Sequence, residues 1–227
     1  MLCSVGLSIG WLNKGGAAAC TAVDPCPDSA LADALMDDGH AVHLLADSAF
    51  AGPLTATQLA TLNAFDVVIV SSYTNSSALD ANSFAALTVP LLVLSVQATL
   101  STGLNLLPSS SSDVIAVSAH IAPAIPSSAE SVLLFASLPA AANYPFSNNS
   151  FASVTNASFA TNGIVLVRAA DAGAEPLVVL WRPGKRAYPQ SSGPILQHNT
   201  LFFAAEHPNG SPQLTADGQA LLASSLQ

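Results

Sequence analysis

The chain is predicted to be a single α/β domain built on a mostly parallel, doubly wound sheet, and three observations predict it. Two apolar runs, Val67-Val68-Ile69-Val70 and Leu91-Leu92-Val93-Leu94, lack the in–out alternation of half-exposed strands and read as parallel strands covered on both faces. Between such runs lie polar turns and segments with helical spacing of apolar residues, and strands alternating with helices imply right-handed βαβ units. The length of 227 residues and the hydrophobic content of 51% suffice for one large domain without metal or disulfide staples.

Taken in order, the apolar opening from Met1 to Gly10, with Leu2, Ser4, Leu7 and Ile9 in alternation, reads as a first buried strand. Asp28 or Ser29 can cap a helix carrying Ala30, Leu31, Ala34, Leu35 and Met36, and Gly39 stands where a left-handed residue ends it. Ala41 to Leu45 follows as a strand, and Thr55 or Thr57 caps a short helix with Leu59 and Leu62. Val67 to Val70 is the next strand, Asp80 to Leu87 the next helix, and Leu91 to Leu94 the strand after Pro90.

The second half is β-rich and irregular. Val114 to Val117 is expected as a fifth parallel strand. Residues 119–162, rich in Ser, Pro, Ala and Asn, form an excursion within the single domain of residues 1–227, with a strand expected at Val132 to Phe135. Ile164 to Val167 and Pro176 to Trp181 read as a hairpin around Ala170 to Ala174, and Leu201 to Ala204 as a further strand. Thr215 caps a closing helix with Leu221, Leu222 and Leu226 on its inner face.

Charge is scarce: 8% of residues, giving a net charge of −9 from 14 acidic and five basic side chains, against roughly 25% charged in ordinary soluble domains. A surface so poor in charge needs hydroxyls, glycans or neighbouring protein to cover it. Nucleic acid is excluded as a partner, because phosphate neutralisation needs a broad basic face. The one basic cluster, Arg182, Lys185 and Arg186, reads as a solvated loop. No run approaches the roughly 20 apolar residues of a membrane-spanning helix, and the opening segment lacks the basic start of a signal peptide.

Cys20 and Cys26 flank a short loop and are placed to close a disulfide in an oxidising compartment, whereas Cys3 reads as a small core residue. No second ligand pair stands near them, so no metal is expected. No cofactor is expected either: Gly10, Gly15 and Gly16 do not make a phosphate-loop spacing. Asn75, Asn148, Asn156 and Asn209 each begin an Asn-x-Ser/Thr acceptor for glycosylation. Sequons, scarce charge and the loop cysteines together point to an extracellular, secreted protein.

Three segments resemble the class I glutamine amidotransferase-like superfamily and its trehalose-utilisation-type relatives. They are the helix-to-strand entry Gly39-His40, the strand Phe65-Asp66-Val67-Val68-Ile69-Val70-Ser71-Ser72, and the closing helix Leu214-Thr215-Ala216-Asp217-Gly218-Gln219-Ala220-Leu221-Leu222. The resemblance implies a three-layer, flavodoxin-like fold. It also aligns Ser95 with the family's nucleophilic Cys, His207 with its base and Asn209 with its orienting carboxylate. That alignment leaves a degenerate centre. Val93 and Gln97 stand where the family's strained turn keeps Gly, and an amide cannot stabilise an imidazolium as a carboxylate does.

Three functional readings follow. The leading one is a non-catalytic, glycosylated extracellular domain, a pseudoenzyme that acts in structural association as a homo-oligomer or against other extracellular domains. The second is a serine-type hydrolase or amidotransferase-like enzyme using Ser95 and His207. The third is a glycan-binding module with Tyr73, Tyr144, Trp181 and Tyr188 as platforms. Any ligand would meet Ser71, Ser72, Tyr73 and Gln97 at strand carboxyl ends; His120 reads as a structural hydrogen-bonder beside them. His40 and His43 belong to the helix–strand junction and a strand surface.

Overall fold

A computed structural model of the chain describes residues 6–16, 29–108, 114–117, 120–123, 136, 138, 144–145, 151–154, 162–170, 175–188, 193–204 and 214–226. Its parallel framework consists of β1 (Ser8–Asn13), β2 (Ala41–Ala46), β3 (Val67–Val70) and β4 (Leu91–Val93), interleaved with α1 (Ser29–Asp37), α2 (Ala56–Leu62) and α3 (Ala81–Ala85). A single turn of helix, α4 (Val96–Thr99), follows β4. The remaining elements are β5 (Val114–Val117), β6 (His120–Pro123), β7 (Tyr144–Pro145), β8 (Phe151–Val154), β9 (Ile164–Ala169), β10 (Pro176–Trp181), β11 (Thr200–Phe203) and α5 (Ala216–Ser224).

Nine strands form one mixed sheet in the order β2-β1-β3-β4-β11-β10-β9-β6-β7. The first five are mutually parallel, through β1–β2, β1–β3, β3–β4 and β4–β11. The rest run antiparallel, β10 against β11 and β9, and β6 against β9 and β7. The α/β character and the parallel half therefore agree with the sequence expectation. All four residues of β3 and all three of β4 are buried, as strands covered on both faces require. Each such aliphatic side chain contributes about 1.5–3 kcal/mol by leaving water. Trp11, Phe84, Phe202, Phe203 and Trp181 are the largest side chains sealed in this core.

Local signals set the helix ends. Thr55 caps α2 through a reciprocal capping box with Gln58, which satisfies two otherwise orphaned donors. Asp80 and Thr215 cap α3 and α5 through Ser83 N–H and Gly218 N–H. At the other end of α1, Gly39 adopts φ +92°. The Gly39 and His40 amides bond the Met36 and Leu35 carbonyls at 3.0 and 3.1 Å, the Schellman pattern that the Gly39 position predicted.

Two strand expectations need correction. The first strand begins at Ser8 and runs through Trp11 and Leu12 to Asn13, three residues past Gly10. Its register against β2 and β3 places Trp11 and Leu12 in the core. The fifth parallel strand is β11, not Val114 to Val117. β11 brings Phe202 and Phe203, both fully buried, alongside β4, an apolar payload that the Val-Ile-Ala-Val run does not match. Val114 to Val117 instead pairs antiparallel with β8 in a separate two-stranded sheet. Within the predicted excursion, β6 joins the main sheet next to β9. The strand expected at Val132 to Phe135, the first-strand residues Leu2 and Ser4, the cap candidate Asp28 and all three cysteines lie outside the described residues.

Two glycines are required by geometry. Gly10 in β1 lies under the Phe65 ring, where a Cβ would stand 2.6 Å from a ring carbon. Gly16 has φ +61°, and a Cβ there would stand 2.7 Å from the Ala46 backbone nitrogen. Gly16→Ala combines left-handed strain with a backbone clash, so it is expected to lower stability by about 1–3 kcal/mol, read by chemical denaturation.

Candidate functional site

In an open α/β sheet, ligands bind outside the carboxyl ends of the strands where strand order reverses. Here that point lies between β1 and β3, because the chain leaves β1 for β2 on one side and returns to β3 on the other. The residues delivered there are Asn13 and Lys14 after β1, Asp47 after β2, and Ser71 to Asn75 after β3. Ser95 and Gln97 follow β4. Four of the predicted ligand-contacting residues, Ser71, Ser72, Tyr73 and Gln97, thus stand at this edge. His120 does not: it begins β6, on the far side of the sheet from β4.

Most of this polar chemistry is used to close the ends of the strands. The Lys14 amide donates to the Tyr73 carbonyl at 2.8 Å, and the Ser71 amide to the Leu12 carbonyl at 2.9 Å. The Ser71 hydroxyl, on a fully buried residue, accepts from the Tyr73 amide at 2.9 Å. The Thr74 hydroxyl donates to the Leu12 carbonyl at 2.9 Å. Asp47 is 4% exposed, and its carboxylate accepts from the Asn75 amide at 2.7 Å. Lys14 places its ammonium 5.7 Å from the Tyr73 ring centroid, a cation–π contact. Asn75, the one sequon asparagine among the described residues, is exposed and accepts from the Ser77 hydroxyl at 3.0 Å. Asn148, Asn156 and Asn209 lie outside the described residues.

Ser95, which the resemblance aligns with a nucleophile, does not have a nucleophile's conformation. Its backbone has φ −92° and ψ 125°, ordinary extended geometry, and its hydroxyl accepts from the Ala98 amide at 3.2 Å as the N-cap of α4. The residue is 1% exposed. A strand-to-helix nucleophile turn holds its hydroxyl out at the top of the sheet on a strained backbone, and neither feature is present. Its proposed partners His207 and Asn209 lie outside the described residues.

Two of the predicted glycan platforms are core residues. Trp181 is 1% exposed, with its indole N–H donating to the Ala187 carbonyl. Tyr188 is 3% exposed, with its hydroxyl donating to Asn105. Their apolar bulk fills the space beside β10 and the turn at Ala187, which removes them as stacking surfaces. Tyr73 remains exposed, and the Tyr144 side chain lies outside the described set. Arg182, Lys185 and Arg186 are exposed, as a solvated loop requires, and the Arg186 guanidinium donates to the Gly193 carbonyl.

His198 is a buried polar residue without a sequence signal. Only 3% exposed, its Nε2 pairs with the Phe84 carbonyl at 2.9 Å and its Nδ1 lies 3.0 Å from the Asn199 carbonyl. It ties the end of α3 to the start of β11, a junction between segments more than a hundred residues apart. A single histidine between an irregular loop and a strand has no periodicity that would mark it.

An apolar cleft of about 320 Å³ opens at the opposite, amino-terminal edge, between the end of α5 and Leu7, Leu92, Leu180 and Leu201. Asp66 at its rim already accepts from the Ser8 amide at 2.7 Å. Among the described residues no group of three His, Cys, Asp or Glu is placed to hold a metal, and no helix is long and apolar enough to cross a membrane. No protein-family model matches the chain, and no curated protein matches it.

Two substitutions test this structural assignment. Ser95→Ala removes an N-cap and is expected to cost about 0.5–2 kcal/mol of stability. His198→Ala removes the Nε2 donor that the buried Phe84 carbonyl shares with the Leu87 amide and is expected to cost about 0.5–1.5 kcal/mol. Thermal denaturation monitored by circular dichroism reads both.

Proposed function

We propose that this chain is a non-catalytic extracellular domain that works by association, chiefly with copies of itself, on a three-layer flavodoxin-like framework of the class I glutamine amidotransferase-like kind. The observation that carries this reading is Ser95. Where an enzyme of that kind would present a strained, accessible nucleophile, the chain has a buried serine spent on capping a helix turn.

Several further features support it. The parallel strand order β2-β1-β3-β4-β11 follows the flavodoxin-like pattern of a first strand flanked by the second and third. Helices α1 and α5 line a common surface depression through Leu31, Leu35, Ala220 and Leu222. Across the chain's other connections, Ser83 within α3 accepts from the Leu54 amide and Asn63 after α2 accepts from the Thr88 amide, which groups α2 with α3. The hydroxyls and the buried carboxylate at the switch point hold backbone rather than standing ready for a substrate. A glycan on exposed Asn75 would project from that same edge, beside Tyr73, and would hydrate a surface that has few charges of its own.

Protein purified from its natural source is expected to show glycoforms by intact mass spectrometry that collapse on deglycosylation. Light scattering is expected to show species larger than one chain. An unmodified protein that stays monomeric at high concentration overturns the proposal. Acylation of Ser95 by a serine-directed probe, abolished by His207→Ala, would replace it with the serine-hydrolase reading.

A further inference from the structure

We propose that Asn75 carries an N-linked glycan whose first sugar packs against the Tyr73 ring, so that the aromatic platform at the switch-point edge serves the chain's own glycan. This rests on the extracellular reading above and fixes where one glycan lies on the fold.

The segment after β3 alternates in exposure: Tyr73, Asn75 and Ser77 are exposed, whereas Ser72, Thr74 and Ser76 are partly buried. The aromatic ring, the acceptor amide and the hydroxyl that the sequon needs two residues further on are therefore all open to solvent. The Ser77 hydroxyl donates to Asn75 Oδ1 at 3.0 Å. That bond holds the carboxamide by its oxygen, and among the described residues no hydrogen bond engages Nδ2, the atom that takes the sugar. The modification joins Asn75 Nδ2 to the anomeric carbon of a lipid-linked oligosaccharyl pyrophosphate. The carbon–oxygen bond to pyrophosphate breaks as the carbon–nitrogen bond forms, and the amide nitrogen gives up one proton to solvent.

In the folded chain the loop that bears the sugar is held in place. Three consecutive residues are tied to the ends of β1 and β2. The Tyr73 carbonyl accepts from the Lys14 amide at 2.8 Å, the Thr74 hydroxyl donates to the Leu12 carbonyl at 2.9 Å, and the Asn75 amide donates to the Asp47 carboxylate at 2.7 Å. The Asn75 carbonyl accepts from the Ala78 amide at 3.0 Å and closes the following turn. A sugar on Asn75 thus meets Tyr73 with the backbone already ordered, which lowers the cost of the contact. A pyranose offers a face of weakly positive C–H groups, and an aromatic ring offers a negative face. Tyr73 is 39% exposed, and the Lys14 ammonium stands over its ring, so the sugar takes the side of the ring away from Lys14. Trp181 and Tyr188 are buried. Among the described residues, Tyr73 and Asn75 are therefore the place where an exposed aromatic ring adjoins a sequon asparagine.

The test begins with peptide mapping of protein from its natural source, after an enzymatic deglycosylation that converts each glycosylated Asn to Asp. Conversion is expected at Asn75. In a secreting eukaryotic host Ser77→Ala is expected to abolish it and Ser77→Thr to keep it. Melting the unsubstituted chain and Tyr73→Ala, each with glycans intact and removed, isolates the ring contact, because glycans elsewhere contribute equally to both. Removal is expected to lower the melting temperature by about 2–4 °C more in the unsubstituted chain and in Tyr73→Phe than in Tyr73→Ala. Proton NMR of the glycoprotein is expected to show ring protons of the first sugar shifted upfield from their positions in the isolated glycopeptide. Glycans at Asn148, Asn156 or Asn209 with Asn75 bare overturn this proposal and leave the extracellular reading standing. A chain without any glycan overturns it as well, and takes the reading above with it if light scattering also finds only monomer. A glycosylated Asn75 with equal losses in the unsubstituted chain and Tyr73→Ala, and with unshifted sugar protons, overturns the ring contact. Should Tyr73→Ala fail to fold, the sugar proton shifts decide the matter.

Discussion

The arrangement of this protein depends on β1. It is the strand at which the strand order reverses, with β2 on one side and β3 on the other, and five of its six residues are buried. Such a strand must be covered on both faces, which forces the connections before and after β2 to opposite senses and creates the reversal of strand order. Gly10 at its centre admits the Phe65 ring, and its carboxyl end must then be closed by polar groups from neighbouring loops.

That closure explains why the switch-point edge is structurally occupied. A strand end brings backbone donors and acceptors that cannot be left dry. Ser71, Thr74 and Asp47 meet that demand at β1 and β3, and Ser95 meets it at the first turn after β4. Each is a small polar residue of the type that catalysis also uses, in the place where α/β enzymes hold their sites. Their hydrogen bonds show how these described residues at the carboxyl edge hold backbone in place.

A low-charge surface shifts the balance between staying apart and associating. A net charge of −9 gives long-range repulsion between copies, but screening confines that repulsion to roughly a nanometre. Within that distance the exposed side chains Met36, Tyr73 and Ile195 carry no charge.

The sequence by itself determined the parallel strands at Val67–Val70 and from Leu91 onward, the cap at Thr215, a cap of α2 at Thr55 or Thr57, and the Gly39 helix end. Each follows from chemistry acting within a few residues: an apolar run, a side-chain oxygen at the right offset, a glycine free to take positive φ. It also placed Ser71, Ser72, Tyr73 and Gln97 at one sheet edge, since the ends of consecutive parallel strands share a side. Only the tertiary structure decided which strand fills the slot beside β4, because pairing across more than a hundred residues is chosen by the packing of Phe202 and Phe203 rather than by local pattern. The same holds for His198, whose partners lie on α3 and beside β11, and for Trp181 and Tyr188, whose aromatic rings look identical in sequence whether they face solvent or core. Ser95 shows the division most plainly. Its place just after the Leu91 strand was legible, but whether its hydroxyl points out to react or back to cap a helix is set by φ and ψ at one residue, which the fold around it imposes.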